Sequence, residues 1–154
     1  MTHKIALVVL VTISPISELR GGIPLGISLG LDPWLTFFIA TIANAILFFP
    51  ILLVLRLGCD RILSRLQIFK RYLDSLRRKG EPRVDRYGSL ALALFVAIPL
   101  PATGVYTATI VSWLLGMHWR KAFPAIVIGV IIAGIIVFLI TLGAAAGMRF
   151  LILA

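Results

Sequence analysis

Three long stretches of the sequence contain no Asp, Glu, Lys or Arg. They cover residues 33–55, 87–117 and 122–148, which are 23, 31 and 27 residues long. An α-helix needs about 20 apolar residues to cross a hydrocarbon core of about 30 Å, so each stretch is long enough to span a bilayer. The sequence therefore predicts an all-α integral membrane protein in which residues 1–154 form a single membrane domain.

Positive charge is concentrated in residues 56–86. This segment holds ten of the fifteen Lys and Arg residues and four of the six acidic residues, a local balance of +6 within a total of +9. A basic segment between two apolar stretches is typical of a cytoplasmic loop, so we expect a multi-pass cell-membrane protein with this segment in the cytoplasm. No aromatic platform accompanies the charge, which argues against nucleic acid and favours membrane lipids as partners.

Apolar residues recur within the basic segment at spacings of four, three, four and three. They are Ile62, Leu66, Phe69, Leu73 and Leu76. This spacing draws one apolar stripe along a helix, so we predict a basic amphipathic helix over residues 58–86. Such a helix can lie at the cytoplasmic interface with its basic side toward anionic head groups. A helix packed against the membrane domain or a partner subunit is the alternative.

The chain resembles itself at an offset of 86 residues. Each half has an apolar stretch broken by proline, then a glycine turn, then an unbroken apolar helix. The matching pairs are Pro15 with Pro101, Gly30 with Gly116, and Phe37 with Phe123. We therefore predict two repeats, residues 1–57 and 87–154, joined by the amphipathic helix.

The broken stretches, residues 5–31 and 87–117, constrain the fold of each half. A straight helix over the second would be about 46 Å long at 1.5 Å per residue, which exceeds the bilayer. Pro99 and Pro101 lie near its centre, where they remove backbone donors. Non-helical backbone at membrane depth persists only when it is buried in protein or lines a wet cavity. We therefore predict two re-entrant helical hairpins that share a polar site.

Two re-entrant hairpins leave one membrane crossing in each half, so that the second half is inverted relative to the first. Inverted repeats with discontinuous helices are typical of secondary transporters. This arrangement puts residues 30–33 outside and residues 117–121 in the cytoplasm. Four plain spanning helices are the alternative, and they would put both turns outside.

Glu18 and Arg20 are the acid and the base inside a predicted membrane segment. Ionisable residues at that depth are costly and normally face a cavity, a partner or a substrate. In the functional interpretation, Arg20 binds an anion such as phosphate through its guanidinium fork and Glu18 couples protons. In the structural interpretation, the two side chains neutralise each other and hold the hairpin tip.

Uncharged residues around the two breaks complete the predicted substrate and proton-coupling site. They are Pro24, Asn44, Pro99, Pro101, Thr103, Gly104 and Tyr106. Hydroxyl groups in membrane helices most often bond their own or a neighbouring helix, and Asn44 can equally link two helices. The sequence offers no metal-ligand spacing, no Walker loop and no nucleophile–base pair, so we expect no cofactor, no metal and no enzymatic activity.

Several motifs resemble those of the small multidrug export protein family of bacteria and archaea. They are Glu18-Leu19-Arg20-Gly21-Gly22-Ile23-Pro24-Leu25-Gly26, Asn44 with Pro50, Arg86-Tyr87-Gly88, and the run from Phe95 to Gly104 that contains Pro99-Leu100-Pro101. The chain differs from the family pattern at Ala102 and at Val105-Tyr106, where the resemblance implies Gly and Ala-Trp. The family is also similar in layout to the DedA and VTT membrane proteins; that likeness implies paired re-entrant hairpins and the movement of polyprenyl-phosphate and other lipids across bilayers.

These observations predict a transporter or flippase, coupled to protons or another ion, with Glu18 and Arg20 at its centre. The substrate would be a small molecule, as the export family implies, or a lipid phosphate, as the DedA likeness implies. A chain with so few helices is expected to form a homodimer. A non-transporting membrane scaffold is the remaining alternative, because it needs only packed spans and the amphipathic helix.

Overall fold

The computed structural model describes residues 1–59, 87–100 and 103–153, and these residues confirm the all-α prediction. Beyond Cys59, the amphipathic helix predicted for residues 58–86 lies outside the described residues. In chain order the helices are α1 (Thr2–Ile13), α2 (Glu18–Ser28), α3 (Pro33–Ile46), α4 (Phe48–Val54), a π-helical turn (Leu55–Cys59), α5 (Ser89–Ala97), α6 (Val105–Leu114) and α7 (Trp119–Leu153).

Among the described residues, two helical segments are long and apolar enough to cross a membrane. The first runs from Pro33 to Gly58 through α3 and α4, and the second, Trp119–Gly147, is most of α7. Asp32 begins the first segment because its side chain accepts the N–H of Leu35 at 2.9 Å, and proline at the next position suits a helix start.

The two long segments are antiparallel. The rings of Phe37 and Phe138 lie 5.6 Å apart, whereas Phe48 lies 5.4 Å from Phe123. Residues later in the first segment therefore contact residues earlier in α7. The C-terminal end of α4 lies beside the N-terminal end of α7.

Helices α1 and α2 form a closely packed antiparallel hairpin. A Cβ on Gly22 would overlap the Thr12 hydroxyl, and a Cβ on Gly26 would overlap the Thr36 side chain and come within 3.0 Å of Val8. Glycine at these positions removes the side chain that would separate α2 from α1 and α3. At the open end of the hairpin, Lys4 Nζ donates to the Leu29 carbonyl at 2.6 Å, so both ends lie on the same side.

Helices α5 and α6 form a second, more open hairpin. Helix α5 lies mainly against α7, where a Cβ on Gly129 would come within 2.7 Å of the Ala93 carbonyl. A cavity of about 400 Å³ separates α5 from α6. Its lining is almost entirely apolar and consists of Tyr87, Gly88, Ala91, Leu92, Phe95, Val111, Leu115 and Met117.

The turns that follow the two hairpins carry the same backbone hydrogen bonds, 86 residues apart. Gly30 and Gly116 both have positive φ, +75° and +68°, as the left-handed turn after a helix requires. The matching bonds are Leu29–Leu25 with Leu115–Val111, Gly30–Ile27 with Gly116–Trp113, and Leu31–Gly26 with Met117–Ser112. The first turn lies near Leu142 and Ala145 of α7, and the second turn leads into the start of α7, so they are at opposite ends of the spans.

Candidate functional site

The first break in the chain separates α1 from α2 and positions Glu18. The N–H of Glu18 donates to the Ser14 carbonyl at 3.0 Å, which closes the turn around Pro15. Glu18 has a φ of +47°, a left-handed conformation that costs a non-glycine residue about 1–3 kcal/mol. Surrounding contacts must hold such a residue in place, and they come from the other half of the chain.

The Glu18 carboxylate lies at the N-terminal end of α6 and is only 7% exposed. It lies against Gly104, where a Cβ would overlap it, and the backbone N–H groups of Val105 and Tyr106 and the Asn44 side chain stabilise its charge. The first N–H groups of a helix have no partner within the helix and carry partial positive charge. The carboxylate therefore acts as an anion bound to the end of α6.

The Arg20 side chain also reaches the second break, where it contacts Thr103 instead of the start of α6. Its Nη2 donates to the Thr103 hydroxyl at 2.9 Å. That hydroxyl also holds the loop after α5, because it lies 2.6 Å from the Ile98 carbonyl and 2.8 Å from the Leu100 carbonyl. The charges of Arg20 and Glu18 also attract each other. This attraction is compatible with the structural interpretation, in which the two side chains neutralise each other.

Tyr106 makes the opposite crossing, from the second half to the first break. Its hydroxyl donates to the carbonyl of Ile13 at the end of α1. At the offset of 86, Tyr106 corresponds to Arg20, so equivalent positions reach across in both directions. Gly104 likewise corresponds to Glu18, and these two are in direct contact, because a Cβ on Gly104 would overlap the Glu18 carboxylate.

Asn44 closes the site from α3. It is 1% exposed, and its Oδ1 has no hydrogen-bond partner among the described residues. A buried acceptor without a donor is unfavourable by about 1–3 kcal/mol. The site therefore contains a buried acceptor without a donor beside the Glu18 carboxylate.

The remaining predicted site residues are placed differently. Pro24 lies inside α2, where it deprives the Arg20 carbonyl of its usual helical donor. Pro99 lies two residues beyond the end of α5 and marks the second break. Pro101 lies outside the described residues. Thr109, by contrast, bonds the Val105 carbonyl of its own helix at 2.6 Å, as hydroxyls in membrane helices usually do.

The sequence reasoning missed the backbone groups of the site. The N–H groups at the start of α6 and the Ile13 carbonyl supply the binding partners of Glu18 and Tyr106. A side-chain inventory cannot find them. Gly104 immediately before an apolar run was the available signal, since glycine is a common residue at a helix N-cap.

The assembled site can hold an anion and can take up a proton. It combines a helix N-terminus, a guanidinium, two hydroxyls and an amide around the buried Glu18 carboxylate. Among the described residues, no group of three or more His, Cys, Asp or Glu side chains could hold a metal ion.

Comparison with known proteins identifies the family. Residues 18–136 match the family model described as "Putative small multi-drug export protein". The match begins at Glu18 and includes every residue of the polar cluster except the Ile13 carbonyl. No curated protein and no solved structure matches the chain. Because the match covers more than half of the sequence and confirms the resemblance in its motifs, the chain belongs to the small multidrug export protein family.

Proposed function

We propose that this protein is an ion-coupled membrane transporter whose substrate site is the polar cluster between the two breaks. The observation that carries the proposal is the crossing of Arg20 to Thr103 and of Glu18 to the start of α6. Buried charges at the meeting point of two discontinuous helices are typical of secondary transporters. A scaffold has no need of an ionisable pair at this depth.

The proposed arrangement in the membrane has two inverted repeats, each with one re-entrant hairpin and one span. Helices α1 and α2, with 12 and 11 residues, are each under 20 Å long at 1.5 Å per residue and too short to cross a bilayer alone. The antiparallel spans and the position of the two turns at opposite ends support the inversion. The Arg120-Lys121 pair after the second turn supports a cytoplasmic position for it.

The cavity between α5 and α6 supports a route from the cytoplasmic side toward the polar cluster. Its lining includes Met117, which lies in the second turn. The first hairpin is packed more closely, because Gly22 and Gly26 let α1 lie against α2. One closed and one open hairpin are what an alternating-access cycle requires of two related halves.

Proton-coupled flux in proteoliposomes tests the proposal. Vesicles loaded with a pH-sensitive dye receive a pH gradient, and candidate substrates are added outside: tetraphenylphosphonium, ethidium, dimethyl phosphate and a short-chain phosphatidylglycerol. A transporter moves protons only when one of these substrates is present, and protein-free vesicles give the control. Protein-containing vesicles that match the control for all four would contradict transport of these classes and favour a scaffold. The homodimer remains a prediction.

A further inference from the structure

The Glu18 carboxylate occupies a place in which a foreign anion would fit. It lies at the positive end of α6, where the N–H groups of Val105 and Tyr106 and the Asn44 side chain stabilise its charge. Helix N-termini with free N–H groups bind phosphate and carboxylate ligands in many proteins. Gly104 has no side chain at the point where the carboxylate lies, which leaves room for a group of that size.

We propose that this end of α6 is an oxyanion site that Glu18 fills in the absence of ligand. A ligand with one negative charge, such as a phosphodiester, takes the N–H groups when Glu18 accepts a proton and withdraws. This inference rests on the proposed function, because it names the substrate class of the same site. It assigns the protein an anionic ligand rather than a cationic one.

The balance of charge favours an anion. Glu18 and Arg20 together are neutral in the present arrangement. Protonation of Glu18 and binding of one monoanion beside Arg20 leaves the cluster neutral again, with one proton taken up for each anion bound. A cation added to the charged pair would leave a net positive charge in a buried site, which is unfavourable at membrane depth.

Asn44 supplies the second, independent observation. Its Oδ1 is buried and has no partner among the described residues, while its amide already contacts Glu18. An ionised carboxylate can only accept hydrogen bonds, but a protonated one has an O–H to donate. Rotation of the Asn44 amide would let Oδ1 accept that O–H, so the residue has a partner for both protonation states of Glu18.

Arg20 has N–H donors left with which it can bind the anion. A guanidinium has five N–H donors, and in the described ranges it makes one hydrogen bond, to Thr103. The remaining donors can form a fork on a phosphate. The titratable groups that face Glu18 are Arg20 from α2 and Tyr106 from α6; in the described part of the chain, α1 and α3 place no titratable group beside it.

Calorimetry on the purified full chain in nanodiscs tests the inference. Dimethyl phosphate serves as a free phosphodiester and dioctanoyl phosphatidylglycerol as a lipid phosphodiester, because both keep one negative charge between about pH 5 and 8. Titration in two buffers of different ionisation enthalpy counts the protons taken up. We expect about one proton per anion bound, and a Kd that rises about tenfold per pH unit while Glu18 is ionised.

Variants separate the roles of the two charged residues. E18Q is neutral at every pH, so it should bind the phosphodiester at least about tenfold more tightly than wild type at pH 7.5, without proton uptake. R20K keeps the charge but loses the fork and should bind about tenfold more weakly. S28A, at an exposed position far from the cluster, is the matched control and should bind like wild type.

Several results would overturn the inference. They are phosphodiester binding without proton uptake, binding that E18Q abolishes, no binding of either phosphodiester at any pH, or tighter binding of tetraphenylphosphonium. The proton count uses the unmodified protein, so it does not depend on a variant folding. Binding of only one phosphodiester identifies a free or a lipid ligand. Proton-linked anion binding without flux would defeat the transport proposal alone, whereas proton-coupled flux of cations only would defeat this inference alone.

Discussion

The two halves of the protein share an order of elements but pack their hairpins in different ways. In the first half, α1 lies against α2, where Gly22 and Gly26 remove the side chains that would intervene. In the second half, the positions 86 residues later are Ala108 and Ser112, and a cavity lies between α5 and α6. Helix α5 lies instead against α7 at Gly129, where the first half has Ala43.

This difference teaches that glycine placement decides which neighbour a short helix contacts. Helices without a glycine on the facing side are held apart by about the width of a side chain, and the cavity between α5 and α6 occupies that space. The halves also differ in charge, because Glu18 and Arg20 have the uncharged counterparts Gly104 and Tyr106. One half supplies the ionisable groups and the other half supplies the helix end that receives them.

The strongest test of the comparison asks whether the halves are inverted. In a Cys59→Ser background, Ser28→Cys marks the first turn and His118→Cys marks the second. The inverted arrangement predicts that an impermeant maleimide added to intact cells labels position 28 and spares position 118 until the membrane is permeabilised. Labelling of position 118 from outside would restore four plain spans. The result is all or none.

Gly104→Ala attacks the contact that joins the two halves. The new Cβ would overlap the Glu18 carboxylate and push it away from the N–H groups of α6. We expect a loss of about 2–3 kcal/mol in stability, the upper range for overpacking, measured as unfolding in mixed micelles. Gly143→Ala is the matched control, because nothing lies within 4 Å of the Cβ that it adds. Equal stability of the two variants would mean that Glu18 does not depend on Gly104.

Gly22→Ala and Gly129→Ala separate the two hairpins. Each adds a Cβ where another helix is in close contact, so each should destabilise the protein by about 1–3 kcal/mol. The damage should be local: the first should raise cysteine accessibility along α1 only, and the second along α5 only. Damage that spreads to both hairpins from either substitution would show that glycine placement does not set their packing independently.

Tyr106→Phe removes one of the two hydrogen bonds that join the halves, and it should have the smallest effect on stability. It deletes the hydroxyl that donates to the Ile13 carbonyl and keeps the ring. The expected loss is about 1 kcal/mol, a typical value for one hydrogen bond. Combined with Thr103→Val, which removes the acceptor of Arg20, the total loss should be smaller than the sum of the two single losses if the crossings act together, because either change alone then already weakens both. Simple additivity would indicate two independent contacts.

The sequence was sufficient to predict the helical class and the two breaks. Charge-free runs, together with Pro15 and Pro99, are local signals, and the helices end close to where these prolines predict. The burial of Glu18 also agrees with its position between apolar residues; its depth in the membrane, and that of Arg20, stay predictions. Their meeting with Asn44 and Thr103 could be expected from the argument that two breaks share a polar site, although no pattern specifies which atoms touch.

Other features could not be predicted, because they depend on packing between distant segments. The closeness of α1 to α2 depends on Gly22 facing Thr12, which requires the rotation of both helices to be known. The binding partners of Glu18 are backbone N–H groups that every residue except proline has, so composition cannot identify them. Thr109 shows the same limit: its chemistry matches that of Thr103, but its hydroxyl is satisfied within α6.

The central claim is that Glu18 and Arg20 operate as parts of a transport site, and one set of variants tests it directly. Glu18→Gln, Arg20→Leu and the double substitution are compared with wild type for melting temperature and for substrate-dependent proton flux in proteoliposomes. Either single change leaves one charge of the pair without its partner, so the free energy of unfolding should fall by at most several kcal/mol. The double variant has neither charge and should recover much of that loss. We predict that the double variant folds and carries no coupled flux. A double variant that is stable and moves protons with substrate like wild type would contradict the account and leave the pair a structural one.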